Sequence, residues 1–124
     1  MTYCKLFLLL TISIFISCSD AEEIEEEVCT LNDWLGEYSG TIICGNASGD
    51  VIVTISEILD SALVATLETG ITTELDPFNP SNCTYESNNL SGSRTYIKYE
   101  RTGNQLTIEE EFETGSCTTN AVKQ

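Results

Sequence analysis

From residue 36 onward the chain repeats one pattern. Apolar and polar side chains alternate for a few residues, and then Gly, Asn, Asp or Pro interrupts. In Val51-Ile52-Val53-Thr54-Ile55-Ser56 the period is two, with a slightly apolar outer face. That is the spacing of a pleated strand, whose successive side chains point to opposite faces. No long stretch has helical periodicity, and Thr, Val, Ile and Tyr are abundant. The chain must therefore fold mainly as β-sheet. The expected strands are 36–44, 50–57, 62–69, 71–76, 83–88, 94–101, 105–113 and 117–122. The fourth and fifth are the weakest, because Pro77 and Pro80 break the chain in the turn-rich loop DPFNPSN. Asp33-Trp34-Leu35 is expected to form one helical turn plugging an end of the sheet. Eight strands in sequence imply an all-β, antiparallel up-and-down meander, closing into a small barrel or packing as a sandwich.

One hairpin permits a test of register. Thr102-Gly103-Asn104-Gln105 is a tight-turn sequence, since Gly and Asn accept positive φ. Centring the turn there sets Tyr99 opposite Ile108 and Ile97 opposite Glu110. It also places Lys98 against Glu109 and Arg94 against Glu113 on the other face. A slip of one residue would lose both charge pairs. Glu109, Glu111 and Glu113 then read as a solvated strand face. Glu110 shares a face with Leu106, Ile108 and Phe112. It is expected at a wet rim or, if enclosed, with a raised pKa or a partner such as Arg101 or a Tyr hydroxyl.

The 124 residues include six Cys, five Lys plus Arg, twenty Asp plus Glu and no His. The absence of His removes His-dependent triads and His-containing metal sites. The net charge of −15 disfavours nucleic acid, which needs clustered Lys and Arg. There is no Walker loop, GxGxxG, GxSxG or CxxC. Asn46, Asp50, Asp76 and Asn79 lack the spacing of a calcium loop. No cofactor, metal or catalytic residue is expected. Asn46, Asn82 and Asn89 each begin a glycosylation sequon, which matters only for a eukaryotic secreted chain.

The start of the chain reads as an address. Lys5 precedes an 11-residue apolar or small run, Leu6 to Ile16, and Ser17-Cys18 follows. This is the layout of a secretory signal peptide. As a helix the run would reach roughly 16 Å, far short of the about 30 Å of a bilayer core. Phe15-Ile16-Ser17-Cys18 resembles the lipobox of bacterial lipoproteins, with Phe15 where Leu is usual. The resemblance covers residues 1–18. It implies cleavage after residue 17 and lipid on Cys18, which would hold the protein on a membrane. Cysteine parity agrees. Cys4 leaves with the signal, lipid consumes Cys18, and Cys29, Cys44, Cys83 and Cys117 remain as an even set for an oxidising compartment.

Residues 19–27, SDAEEIEEE, are six-ninths acidic and expected to be extended and solvated. Acidic residues directly after such a Cys resemble the surface-export signals of Bacteroidetes-type lipoproteins. That resemblance implies an outer-membrane location, surface-exposed or otherwise facing the periplasm. The organisation is thus a signal at 1–17, a lipidated Cys and acidic tether at 18–27, and a β domain at 28–124. The domain keeps four basic residues against fourteen acidic ones, a charge of −10.

Strand direction orders the four cysteines. In an up-and-down meander Cys44 ends the first strand where Cys117 starts the eighth. Cys83 starts the fifth strand at the opposite end, near Cys29. Cys44–Cys117 and Cys29–Cys83 are therefore expected. Finally, Trp34-Leu-Gly-Glu-Tyr38-Ser-Gly40 resembles the opening of lipocalin-like domains over about seven residues. In those domains a Trp near a Gly starts the first strand and closes the barrel base. Trp34 and Tyr38 equally fit core aromatics. Three functions are open: a non-catalytic binding or structural envelope module with a protein partner, a carrier of a small apolar ligand, or a small hydrolase. A carrier's cavity would be lined by Tyr38, Ile55, Leu67, Tyr99, Glu110 and Phe112.

Overall fold

The computed structural model describes residues 25–124. The expected signal peptide 1–17, Cys18 and the tether as far as residue 24 lie outside the described residues.

A one-turn helix α1 (Leu31–Trp34) opens the domain. Eight antiparallel strands follow: β1 (Gly36–Cys44), β2 (Ala47–Glu57), β3 (Leu63–Glu68), β4 (Thr72–Glu74), β5 (Thr84–Ser87), β6 (Arg94–Thr102), β7 (Gln105–Phe112) and β8 (Gly115–Lys123). A 3₁₀ turn, Leu59–Ser61, links β2 to β3. All eight strands form one sheet in the order β4-β3-β2-β1-β8-β7-β6-β5. This is the cyclic order of an up-and-down barrel. It is joined where the first and last strands meet, and its seam falls between β4 and β5. The result is a curled half-barrel of one sheet rather than a sandwich.

The seam has a chemical cause. Pro77 and Pro80 cannot donate to a ladder, so β4 and β5 are cut to three and four residues. The loop between them follows the edge of β3 instead. Leu63 and Phe78 exchange backbone hydrogen bonds at 2.9 and 2.8 Å, and Leu75 N–H donates to the Ala65 carbonyl at 2.8 Å. This places Phe78 inside the half-barrel. Its ring stacks on Tyr99 with centroids 4.2 Å apart and meets Trp34 edge-on at 5.8 Å. Around these rings lie Tyr38, Val51, Val53, Ile55, Leu63, Leu67, Leu106 and Ile108, all buried. The alternation expected of β2 holds, with Val51, Val53 and Ile55 inside and Ile52 outside.

β1 joins the two halves and depends on Gly40. A Cβ at that position would sit 1.9 Å from the Asn120 carbonyl oxygen and 2.6 Å from the Ala121 Cα on β8. Only glycine lets the two backbones approach this closely.

Both expected disulfides are present. They link residues separated by 54 and 73 positions. Closing loops of that length removes about 4 kcal/mol each of chain entropy from the unfolded state. The bridges lie at opposite ends of the half-barrel. Cys44 and Cys117 face each other across β1 and β8. Cys29 and Cys83 sit below α1, where the Trp34 Nε1–H donates to the Asn82 carbonyl at 3.0 Å.

The β6–β7 hairpin keeps the expected register at Tyr99↔Ile108, Lys98↔Glu109 and Ile97↔Glu110. Gly103 takes φ of 58° in its turn. Beyond Tyr96 the register shifts, and Arg94 pairs with Phe112 rather than Glu113. The extra residue turns Arg94 to the inner face. The Arg94–Glu113 pair is therefore not formed. Lys98 stands opposite Glu109, but its ion pair is with Glu100 on its own strand, at 3.1 Å.

Candidate binding site

Each end of the half-barrel collects a different set of side chains. At the base, α1 closes the opening. Tyr38 Oη donates to the carbonyls of Trp34 at 2.9 Å and Asp33 at 3.2 Å, which ties β1 to the helix. Burial raises the Tyr38 phenol above its usual range. Asp33 accepts from Thr30 N–H at 2.7 Å and Thr30 Oγ1 at 2.9 Å, and those bonds hold its carboxyl below the usual range.

The tether's last residue docks at this base. Both Glu27 carboxylate oxygens accept from Gly103 N–H at 2.9 Å, and the Arg101 guanidinium lies 3.6 Å away. The Glu27 carbonyl accepts from Asn82 Nδ2 at 3.0 Å. Glu27, the last residue of the acidic stretch 19–27, stays exposed yet is tied to the domain, because the hairpin turn offers an N–H beside a buried arginine. Asn82 is occupied on both sides, since its Oδ1 accepts from Cys29 N–H at 2.6 Å. Its sequon is thus used as a structural clamp. Glu27, Cys29 and Cys83 form the one convergence of three ligand-type atoms among the described residues. Both sulfurs there are locked in a disulfide, so neither is a thiolate.

The mouth lies about one strand length away, roughly 30 Å along the nine residues of β1. It holds a pocket of 210 Å³ lined by Ile42, Leu67, Thr69, Thr73, Leu75, Arg94, Glu110, Phe112 and Cys117. Ile42, Leu67, Leu75 and Phe112 supply apolar walls, while Arg94 and Glu110 supply the charges. Arg94 Nε donates to Glu110 Oε1 at 2.8 Å, and the two side chains are 13% and 4% exposed. The guanidinium also lies over the Phe112 ring, 5.5 Å from its centroid. Glu110 is thus neither at a wet rim nor paired with Arg101 or a tyrosine. The bulge in β6 brings Arg94 inward to meet it.

Of the six expected lining residues, Leu67, Glu110 and Phe112 do line the mouth. Tyr38, Ile55 and Tyr99 do not. They are buried in the core beneath it, where Phe78 occupies the space a deep ligand would need. Tyr99 Oη is buried without a hydrogen-bond partner among the described residues. Burial, and then the Glu110 charge, push its phenol well above the usual tyrosine range. The loop after β5 braces the mouth. Asp76 accepts from Ser91 N–H at 3.1 Å and from the Ser91 hydroxyl, which hold its carboxyl below the usual range.

Sequence reasoning missed Arg94, Leu75, Ile42, Thr69 and Thr73 as mouth residues. It also missed Phe78 as the filler of the interior. Phe78 left a signal, being the one large apolar residue in the polar segment Asp76-Pro-Phe-Asn-Pro-Ser-Asn82. Arg94 left none, because a bulge cannot be read from alternation. A larger depression of 690 Å³ at Glu57, Ile58 and Leu59 is bounded by a single stretch of chain, and no polar groups converge on it.

In comparisons with known proteins, no family model, no curated protein and no solved structure matches the chain.

Proposed function

We propose that this chain is a lipid-anchored lipoprotein of the cell envelope, held at the outer membrane and facing outward, whose domain is a non-catalytic binding module. Cys18 is the lipidated residue in this reading, and the mouth pocket is the binding site. The observation that carries it is the polarity of the cup. The base is plugged by α1 and receives the tether through Glu27, while the opposite end holds a 210 Å³ pocket with apolar walls and one ion pair. A lipid on Cys18 would leave a spacer of at most about 30 Å to Glu27. The base would then face the membrane, and the mouth would point away from it. More than one acyl chain makes such attachment persistent without a spanning helix. The reading as a lipocalin-like carrier of a small apolar ligand is narrowed to the mouth, because the Phe78–Tyr99 stack fills the space below.

Two measurements test the two parts. Intact mass of the membrane-extracted protein is expected to show acyl groups on Cys18 and the loss of four hydrogens for two disulfides. Cys18→Ala is expected to move the protein out of the membrane fraction. If wild-type protein is unmodified and freely soluble, the anchor is wrong. For the site, benzene is expected to shift the methyl NMR signals of Ile42, Leu67 and Leu75 saturably, as small apolar cavities take benzene. Unmoved methyls would remove the mouth as a binding site.

A further inference from the structure

We propose that the mouth takes an uncharged amphiphile: a compact apolar body with a head group that accepts and donates hydrogen bonds side by side, as a carboxamide does. This rests on the reading of the mouth as the binding site and specifies what enters it.

The Arg94–Glu110 contact uses one guanidinium N–H and one carboxylate oxygen. A guanidinium carries five N–H donors, and a carboxylate has two accepting oxygens. Among the described residues, the Arg94 Nη groups and Glu110 Oε2 have no hydrogen-bond partner. Yet both side chains are nearly enclosed, and both line the pocket. None of these atoms is among the fully buried unpaired ones, so their spare capacity faces the pocket, where a ligand that supplies the missing partners can reach it. The matching ligand offers an acceptor to Arg94 and a donor to Glu110 at adjacent atoms.

Charge excludes the alternatives. The pair is neutral as a unit and sits between Ile42, Leu67, Leu75 and Phe112. An anionic head would approach the Glu110 carboxylate within a domain of net charge −10. A cationic head would meet the Arg94 guanidinium. Either puts three charges together between apolar walls, one of them uncompensated. A neutral head avoids this. Size sets the body: a cavity of about 150 Å³ holds benzene, so 210 Å³ suits about eight non-hydrogen atoms. Hexanamide is a chain of that size, and its carboxamide presents the required pair.

The test compares hexanamide, hexanoate and hexylammonium, which share the body and differ in the head. The intact protein is held in lipid nanodiscs, and the methyl signals of Ile42, Leu67 and Leu75 are followed. Hexanamide is expected to shift them saturably and to bind at least about tenfold tighter than either ion, since a site built for a hydrogen-bonding head rejects heads that cannot match it. Replacing one partner alone would strand a buried charge, so the variant is the pair R94M/E110M, with its folded methyl spectrum as control. It is expected to lose the preference for the amide. Equal or tighter binding of hexanoate or hexylammonium overturns the proposed ligand class, as does an amide preference that survives in the double variant. If none of the three binds while benzene does, the ligand class fails and the binding site stands. If benzene fails as well, the site falls with it.

Discussion

The base and the mouth of the half-barrel each carry one disulfide, yet they are closed by opposite means. At the base the Trp34, Phe78 and Tyr99 rings pack against each other, and Tyr38 bonds to the helix carbonyls and Asn82 to the tether, although Tyr99 Oη and Arg101 Nε are buried without a partner among the described residues. At the mouth the apolar residues stand apart around a pocket, and a single ion pair bridges them. Aromatic packing gains from every contact and leaves no room. An enclosed ion pair gains little over an apolar substitute and is expensive to break. The base is therefore expected to carry more of the domain's stability than the mouth, which keeps an open pocket.

The largest expected effect breaks the base. Phe78→Ala removes a ring in contact with Trp34, Tyr85 and Tyr99. It should cost about 3–5 kcal/mol in chemical denaturation, the usual range for a buried Phe. A cost below about 1 kcal/mol would mean that the Pro77–Pro80 loop does not hold the interior and that the base is not the stronger end.

The second prediction concerns the mouth. Arg94→Met should destabilise by about 3 kcal/mol, because Glu110 is left enclosed without its partner. The double replacement R94M/E110M should recover most of that loss, since apolar side chains of similar volume replace a buried pair with little penalty. Equal costs for the single and double variants would show that Glu110 reaches water by itself.

How legible these two ends were in the chain differs for the same physical reason. Cross-strand register at Tyr99, Lys98 and Ile97 follows from the Gly103-Asn104 turn, because a tight turn fixes pairing for the residues near it. Both disulfides follow from strand direction alone. The candidate site was only half readable. Leu67, Glu110 and Phe112 could be named from alternation, but Arg94 depends on a bulge that adds one residue and reverses the side it faces. Phe78 was hidden differently. Its neighbours read as a turn-rich loop, and only the tertiary edge of β3 makes that loop part of the wall. Glu110 looked like a rim residue because a carboxylate inside a barrel needs a cation, and the sequence pointed its nearest candidate outward.

The smallest prediction separates the ends by pH. Asp33 belongs to the base and Asp76 to the mouth, and each carboxyl is held below its usual range by hydrogen bonds, from Thr30 and Ser91 respectively. A carboxylate whose native pKa lies below its unfolded value stabilises the fold at pH above the unfolded value, about 3.9 for Asp. That contribution fades as the pH falls through the lowered native value. Both ends should thus loosen in acid below about pH 4. Asp76→Ala should remove the mouth's share only. Amide exchange around Ser91 should then quicken at neutral pH and respond little to further acid, while exchange around Thr30 keeps its acid dependence. If both segments lost protection together in Asp76→Ala, the loop brace at the mouth and the helix cap at the base would be one cooperative unit, and the division of the cup into two independently held ends would fail.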